Sequence, residues 1–379
     1  MTKELNGFHI SLDKMSEVEF LYSPAEFYAR IMSLISAANH RVGIATLYIG
    51  DSEMERNLMA ELGRCRSRNV RVDVLIDGNR GKRKGLISTK QLLSELAPAA
   101  KINEFFVSAK TSLLPSRIRE VLGTQHMKYI VVDDTVVITG ANLSRIYFTN
   151  RQDRYCIVKN EELANSLIST LNTTAKCHHH FNTSSLEYNV TRGFASPSGA
   201  IDEVTHALLS RKNLGDEGVV ITLSSPYLNL TPDLVQLLLK SNKVNIVTNS
   251  IETNAFFNSK GLSKYVPKAY AILLEELIDE KFNLYEYSRP EWSFHPKGVW
   301  VARNGEIEST IIGSSNFGYR SKFRDLEISF KLETECGSLQ SQLKKELHNI
   351  MRFCKPVRRM TRPNFLLSFL AKGPLRTFL

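Results

Sequence analysis

Two histidine–lysine pairs, His126 with Lys128 and His295 with Lys297, are each followed by an asparagine, Asn142 and Asn316. One copy reads His126-Met-Lys128-Tyr-Ile-Val-Val-Asp133, then Thr139-Gly140-Ala141-Asn142. The other reads His295-Pro-Lys297, has Ala302 where the aspartate would fall, and continues with Gly313-Ser314-Ser315-Asn316. A single His-x-Lys carries little weight: chance supplies it often, and two side chains on one strand face are as easily solvated. Its repetition with matching asparagines is another matter. Counted from each asparagine, an acid stands eleven positions on in both copies, Asp153 and Glu327. A phosphoryl-transfer site with two facing histidines would need such a set.

The spacing resembles the phospholipase D superfamily, whose motif is His-x-Lys-x4-Asp followed by Gly-Ser-x-Asn. That resemblance implies an α/β fold: two similar α/β/α sandwich halves with the active site at their interface. Longer strings, Gly140–Ser144, Tyr147–Tyr155, Ser293–Gly298, Ile312–Ser321 and Arg324–Glu327, are similar to one branch of the superfamily. Its members transfer the phosphatidyl group of CDP-diacylglycerol to glycerol 3-phosphate, and the similarity runs roughly from Tyr22 to Glu333. Bacterial phosphatidylserine synthases are the neighbouring branch, with serine as acceptor.

This resemblance implies two displacements. His126 would attack phosphorus and form a phosphatidyl-histidine, and His295 would serve as general acid and then general base. Asp153 and Glu327 would accept from the histidines' second nitrogens, each crossing to the other half. Lys128, Lys297, Asn142 and Asn316 would hold the non-bridging oxygens, with Ser314 as a further donor in the second copy. Asp133 completes the motif and mostly supports packing. Two lysines supply the charge a divalent ion supplies elsewhere, so neither metal nor cofactor is expected. Arg151, Arg154, Arg320, Lys322 and Arg324 are candidates for the acceptor's phosphate, Arg320 first among them; Arg80, Lys82, Arg83 and Lys84 are alternatives, and any of these can equally be a solvated basic face. The implied partners are CDP-diacylglycerol, glycerol 3-phosphate and an anionic membrane surface, not nucleic acid. The implied location is peripheral, on the matrix side of the mitochondrial inner membrane. A serine phosphatidyltransferase and a phosphodiesterase or nuclease remain open, and the oligomeric state is not legible.

Composition agrees with a basic, two-unit protein. A chain of 379 residues exceeds what one core comfortably serves, and 169 positions separate the two motif histidines. The net charge of +10 favours anionic partners without choosing among them. Five cysteines, an odd number without close-paired spacing, point to a reducing compartment. The run Cys177-His178-His179-His180 is no metal site by this reading, because adjacent side chains diverge. No stretch approaches the roughly eighteen apolar residues of a membrane span. Residues 1–19 hold acids and no Arg-rich amphipathic run, so no presequence is expected in them.

The elements that must position these residues alternate helix and strand. In the first unit, 1–181, helices are expected at Tyr22–Ala38, Ser52–Arg68 and Glu161–Leu171. Strands are expected at Arg41–Ile49, Val70–Ile76 and Phe105–Val107, with a hairpin of Lys128–Asp133 and Val136–Thr139 turning on Asp134 and Thr135. Residues 182–200 read as a connection. The second unit, 201–354, repeats the grammar: helices at Ile201–Arg211, Thr231–Leu239, Tyr270–Leu277 and Leu339–Phe353, and strands at Val219–Ser224, Val244–Val247, Phe282–Tyr287, His295–Ala302, Ser309–Ile312 and Leu326–Leu332. Asn249–Lys264 suits a loop over a site. In the C-terminal segment, 355–379, Phe365-Leu-Leu-Ser-Phe-Leu370 with Lys372 and Arg376 fits an interfacial anchor, or else a helix packed on the core.

Overall fold

A computed structural model describes residues 18–82, 87–106, 120, 123–176, 192–193, 214–277, 282–357, 365–373 and 375–379. Its strands are β1 (Val18–Leu21), β2 (Arg41–Thr46), β3 (Arg71–Asp77), β4 (Lys101–Phe105), β5 (Tyr129–Val132), β6 (Thr135–Thr139), β7 (Arg151–Gln152), β8 (Tyr155–Lys159), β9 (Arg192–Gly193), β10 (Val219–Ser224), β11 (Val244–Asn249), β12 (Phe282–Tyr287), β13 (Ser293–Phe294), β14 (Gly298–Arg303), β15 (Glu306–Gly313), β16 (Glu327–Glu333) and β17 (Cys354–Pro356). Among the described residues the first large sheet has the order β1-β8-β6-β5-β2-β3-β4 and the second β17-β12-β11-β10-β14-β15-β16-β9. In each, three parallel strands (β2, β3, β4; β10, β11, β12) continue into an antiparallel hairpin and a third strand (β5, β6, β8; β14, β15, β16). The expected pair of similar α/β halves is therefore the observed architecture.

The helices are α1 (Pro24–Ser36), α2 (Glu53–Arg64), α3 (Thr89–Leu96), α4 (Arg145–Thr149), α5 (Glu161–Lys176), α6 (Pro232–Leu238), α7 (Val266–Glu275), α8 (Tyr319–Phe323), α9 (Gly337–Met351) and α10 (Phe365–Lys372). Helix α1 starts where Ser23 Oγ accepts the Glu26 N–H and Pro24 occupies the first turn. Its Phe27, Ile31 and Ile35 then recur every four residues on the buried face. With Leu58, Met59 and Leu62 of α2 and Leu92 and Leu93 of α3, they cover one face of the first sheet. The opposite faces share a core. Leu163, Leu167 and Leu171 of α5 pack there with Leu339, Leu343 and Ile350 of α9 and with Trp300 of β14.

Arg154 locks this shared core, and its expected role as an acceptor ligand needs correction. Its guanidinium donates to Glu346 Oε1 and Oε2 at 2.8 and 2.7 Å, to the Ile311 carbonyl at 2.6 Å and to Thr310 Oγ1 at 2.9 Å, and it stacks 3.8 Å from the Trp300 ring. Trp300 Nε1 donates to the same carboxylate at 2.9 Å. Truncating one member of a fully buried pair leaves the other charged and unpaired, so Arg154→Ala should cost about 3–5 kcal/mol in a urea titration. An unchanged midpoint would contradict the interlock.

Asp133 also belongs to the fold and lies at the end of its hairpin opposite His126 and Asn142. It sits in the two-residue β5–β6 turn with φ of 51°, where its carboxylate takes the N–H groups of Asn39, His40 and Arg41 at 2.9, 2.8 and 3.0 Å, tying the hairpin to the start of β2. The second half explains Ala302. Strand β14 runs to Arg303, so Ala302 pairs inside the ladder with Val220 and Ile307, and the turn falls on Asn304 and Gly305. Both turn residues have positive φ, 51° and 83°, a conformation that asparagine and glycine tolerate. Asn304 N–H bonds Gly218 O at 3.0 Å, as Asp133 N–H bonds Arg41 O at 3.0 Å.

Several elements depart from expectation. Strands β1 and β8 and helix α3 have no counterpart in the sequence reading. Strand β4 begins at Lys101, the first hairpin turns on Asp133 and Asp134, α7 begins at Val266, and the second sheet extends through β17. The expected helix Ile201–Arg211, the run Cys177–His180, and Arg83 and Lys84 lie outside the described residues, as does the connection apart from residues 192–193.

Candidate active site

Each hairpin gathers one motif at one end. His126 and Lys128 precede β5 and Asn142 follows β6; antiparallel pairing of Tyr129 with Ile138 sets entry beside exit. Gly298 opposite Ile312 does the same for His295, Lys297 and Asn316. Residues two apart on an extended chain share a face, which aims each histidine and lysine the same way. In both copies the lysine Nζ also donates to the carbonyl of its own histidine at 2.7 Å.

The two halves complete one another. His126 N–H bonds Leu326 O at 2.8 Å and His295 N–H bonds Gln152 O at 2.9 Å, through the Gln125–Leu326 bridge and the parallel pairing of β13 with β7. The next residue along each opposing strand segment is the acid. Glu327 places both carboxylate oxygens 2.9 Å from His126 Nδ1, and Asp153 Oδ2 lies 2.6 Å from His295 Nδ1. Each acid thus reaches the histidine of the other half. With Nδ1–H donated to the carboxylate, Nε2 carries the lone pair in both rings.

The copies then diverge. A side chain at Gly140 would collide with Asp153 Oδ1, so this slot must stay empty for the acid to fit. In the second copy Ser314 fills the slot, and its Oγ donates to the Ile328 carbonyl at 3.2 Å and accepts the Ile328 N–H at 3.0 Å, next to Glu327 in the chain. Ser321 Oγ donates to Glu327 Oε1 at 3.0 Å and accepts the Asn316 N–H at 3.0 Å. The Oδ1 atoms of Asn142 and Asn316 find no hydrogen-bond partner among the described residues. His126 keeps 14% of its side chain exposed, against 5% for His295. No described residue bonds His126 Nε2, whereas His295 Nε2 meets Tyr147 Oη at 3.2 Å and Lys297 Nζ at 3.1 Å. Lys297 also lies 2.7 Å from His295 Nδ1, a close approach only, since that nitrogen's proton is given to Asp153.

Burial pushes both histidines well below their ordinary range, and the neighbouring lysines add to this, so both rings are neutral at neutral pH. Burial likewise raises Asp153 to about 6 and Glu327 to about 7, and lowers Lys128 to about 8 and Lys297 to about 7. Below these carboxylate values the acids are protonated and release the Nδ1–H groups. Above the lysine values the cradle loses its positive charge. A bell-shaped kcat/KM against pH, highest near neutrality, is the expected profile of the free enzyme. Lys297→Arg, which stays charged, should weaken the alkaline limb; an unaltered limb would exclude Lys297 from it.

The basic candidates separate. Arg151 stays by the cluster: its Nε donates to Ser293 Oγ at 2.8 Å, its guanidinium lies 4.7 Å from the Tyr147 ring centroid, and its charge helps depress His295. Arg320 is engaged by Asp325, with Nε–Oδ2 at 2.7 Å, and by Glu120 O at 2.6 Å. Arg324 reaches the Thr377 carbonyl at 2.8 Å, Lys322 pairs with Asp233 at 2.5 Å, Arg80 with Glu120 at 3.1 Å and Lys82 with Glu104 at 3.4 Å. Among the described residues no three His, Cys, Asp or Glu are grouped to hold a metal ion. Sequence reasoning missed Tyr147 and Ser321. Counting from the asparagines finds them, since a hydroxyl stands five positions on in both copies.

The chain belongs to the phospholipase D-like family: a family model described as "Cardiolipin synthase, PLD-like domain" matches residues 31–174 and 219–351. Within it, curated relatives are CDP-diacylglycerol–glycerol-3-phosphate 3-phosphatidyltransferases. The protein of that name from Saccharomyces pastorianus is 30% identical, with 90% of this chain and 83% of the relative covered. The mitochondrial one from Homo sapiens is 29% identical over 87% and 76%, and a probable one from Dictyostelium discoideum 29% over 87% and 71%. In fold the chain is similar to the phosphatidylserine synthase of Haemophilus influenzae, with a TM-score of 0.76 at 20% identity, covering 95% of this chain and 93% of that one.

Proposed function

We propose that this protein transfers the phosphatidyl group of CDP-diacylglycerol to sn-glycerol 3-phosphate, giving phosphatidylglycerophosphate and CMP. The observation that carries the reading is the crossed acid–histidine pairing, which turns Nδ1 of each ring to a carboxylate and leaves His126 Nε2 open, with Lys128 and Lys297 close enough to act on the ring, in a chain whose relatives bear that activity's name. Neutral His126 attacks the lipid-side phosphorus. The N–P bond forms, the P–O bond to CMP breaks, and CMP departs with the electron pair as a phosphate monoester needing little acid help. Glu327 supports the charge that appears on the ring. Lys128, Lys297 and the two asparagines steady the oxygens of the five-coordinate transition state. His295 then takes the proton of the glycerol hydroxyl as its oxygen displaces His126 from phosphorus. Arg151, beside His295, is the cation best placed for the acceptor's phosphate, and it distinguishes that acceptor from serine.

The lipid substrate calls for a membrane surface. Among the described residues no helix is long and apolar enough to cross one. Helix α10 packs on α7 through buried Ala371, and leaves Phe365, Leu366 and Phe369 exposed at 87, 64 and 63%. Exposed Phe323 and the pairing of Arg324 with Thr377 join this surface to the segment that follows Asn316. This face supports peripheral attachment; the names of the mitochondrial relatives favour the mitochondrion, and the matrix side of the inner membrane is the position proposed within it. Changing Phe365, Leu366 and Phe369 together to serine should release the protein from anionic vesicles in a flotation assay, and full retention would argue against this face.

One assay tests the reaction. With CDP-diacylglycerol and glycerol 3-phosphate, CMP and phosphatidylglycerophosphate should accumulate together. Phosphatidylserine formed from serine would move the reading to the neighbouring branch, and salt-sensitive cleavage of DNA with no lipid requirement would replace it by a nuclease.

A further inference from the structure

Tyr147 lies where the second displacement must begin. Its hydroxyl is 3.2 Å from His295 Nε2, the lone pair that takes the acceptor's proton. The phenol is held from several sides. Asn142 Nδ2 donates to its oxygen at 3.2 Å, its ring meets His295 edge-on with centroids 5.0 Å apart, and the Arg151 guanidinium covers it at 4.7 Å. Tyr227 stands edge-on to His295 as well, at 6.2 Å, and packs in turn against Phe256 and Tyr270. His295 therefore sits under an aromatic cover, with one hydroxyl on its reactive nitrogen. At the same offset in the other copy, Ser321 turns to Glu327 and leaves His126 Nε2 uncovered.

We propose that Tyr147 is a positioning residue that favours transfer over hydrolysis: its hydroxyl occupies His295 Nε2 until the hydroxyl of a bound acceptor displaces it. The inference rests on the two-displacement reading above. In the phosphatidyl-enzyme either an alcohol or water can attack. The new O–P bond forms, the N–P bond breaks with its electron pair returning to His126, and the proton passes to His295 Nε2. Water must reach that nitrogen by itself. An acceptor phosphate engages Arg151, the cation resting on the Tyr147 ring, so acceptor binding and phenol displacement are coupled through one contact. Burial raises the Tyr147 pKa above its ordinary value, which keeps the hydroxyl protonated as a donor throughout the working range.

The test is Tyr147→Phe, which keeps the ring and removes the hydroxyl. Purified full-length protein is given CDP-diacylglycerol in mixed vesicles with glycerol 3-phosphate, and phosphatidate and phosphatidylglycerophosphate are measured together. The ratio of phosphatidate to phosphatidylglycerophosphate should rise at least about tenfold over wild type, the scale of one lost hydrogen bond, and CMP release without acceptor should rise too. A ratio does not depend on how much variant is folded. If both products fall in proportion, or phosphatidate falls further, the proposal is overturned and Tyr147 is merely structural. Wild-type protein that makes phosphatidylserine instead would overturn the acceptor reading alone, because the same ratio is then taken with serine.

Discussion

Replacing His126 by alanine is expected to lower turnover by at least about 10,000-fold, the scale on which removal of a covalent nucleophile acts. No other group can take its place. Lys128 and Lys297 each donate to the carbonyl of their own histidine, and the Nε2 of His295 is met by Tyr147 and Lys297. The half-reactions separate the two histidines more sharply than turnover does. Labelled CMP should exchange into CDP-diacylglycerol without acceptor in wild type and in His295→Ala, because CMP leaves without acid help, and should not exchange in His126→Ala. The reverse pattern would exchange the roles assigned to the two rings.

Glu327→Gln should lower kcat on the order of 1,000- to 10,000-fold while leaving the protein folded. The amide is nearly the same size as the carboxylate and keeps Ser321 within reach. It can, however, turn an N–H toward His126 Nδ1, which drives the ring's proton to Nε2 and removes the attacking lone pair. The carboxylate is buried against its preference, with burial raising it to about 7, so neutralising it costs the fold little. A variant with normal unfolding and near-normal kcat would show that the tautomer is set by something else. Asp153→Asn should spare CMP exchange and slow the acceptor step, since it acts on the other ring.

The sequence carried the motif residues well because their spacing is local. His-x-Lys before one strand and asparagine after the next are fixed by hairpin geometry, and hairpins keep their register whatever surrounds them. The acids at eleven positions beyond each asparagine follow from the same repeat. What the repeat does not encode is how unlike side chains meet across the two halves. Tyr147 and Ser321 hold equivalent places in sequence, yet one turns to His295 and the other to Glu327. Arg154 looked like a ligand because it lies among motif residues, and only the distant Glu346 and Trp300 reveal it as a core residue. Strand β8, Tyr155-Cys-Ile-Val-Lys159, is an apolar run hidden behind a polar motif, and α3 offers only eight residues of helical period.

The crossed carboxylates make chemistry a gauge of assembly. Because neither sheet supplies its own histidine with an acid, a slight slide of one sandwich against the other would unsettle both imidazoles at once, long before either sheet lost a strand. Catalytic output should therefore fade at lower denaturant than the bulk spectroscopic signal, reporting on the seam where the polar groups meet and not on the integrity of either layer.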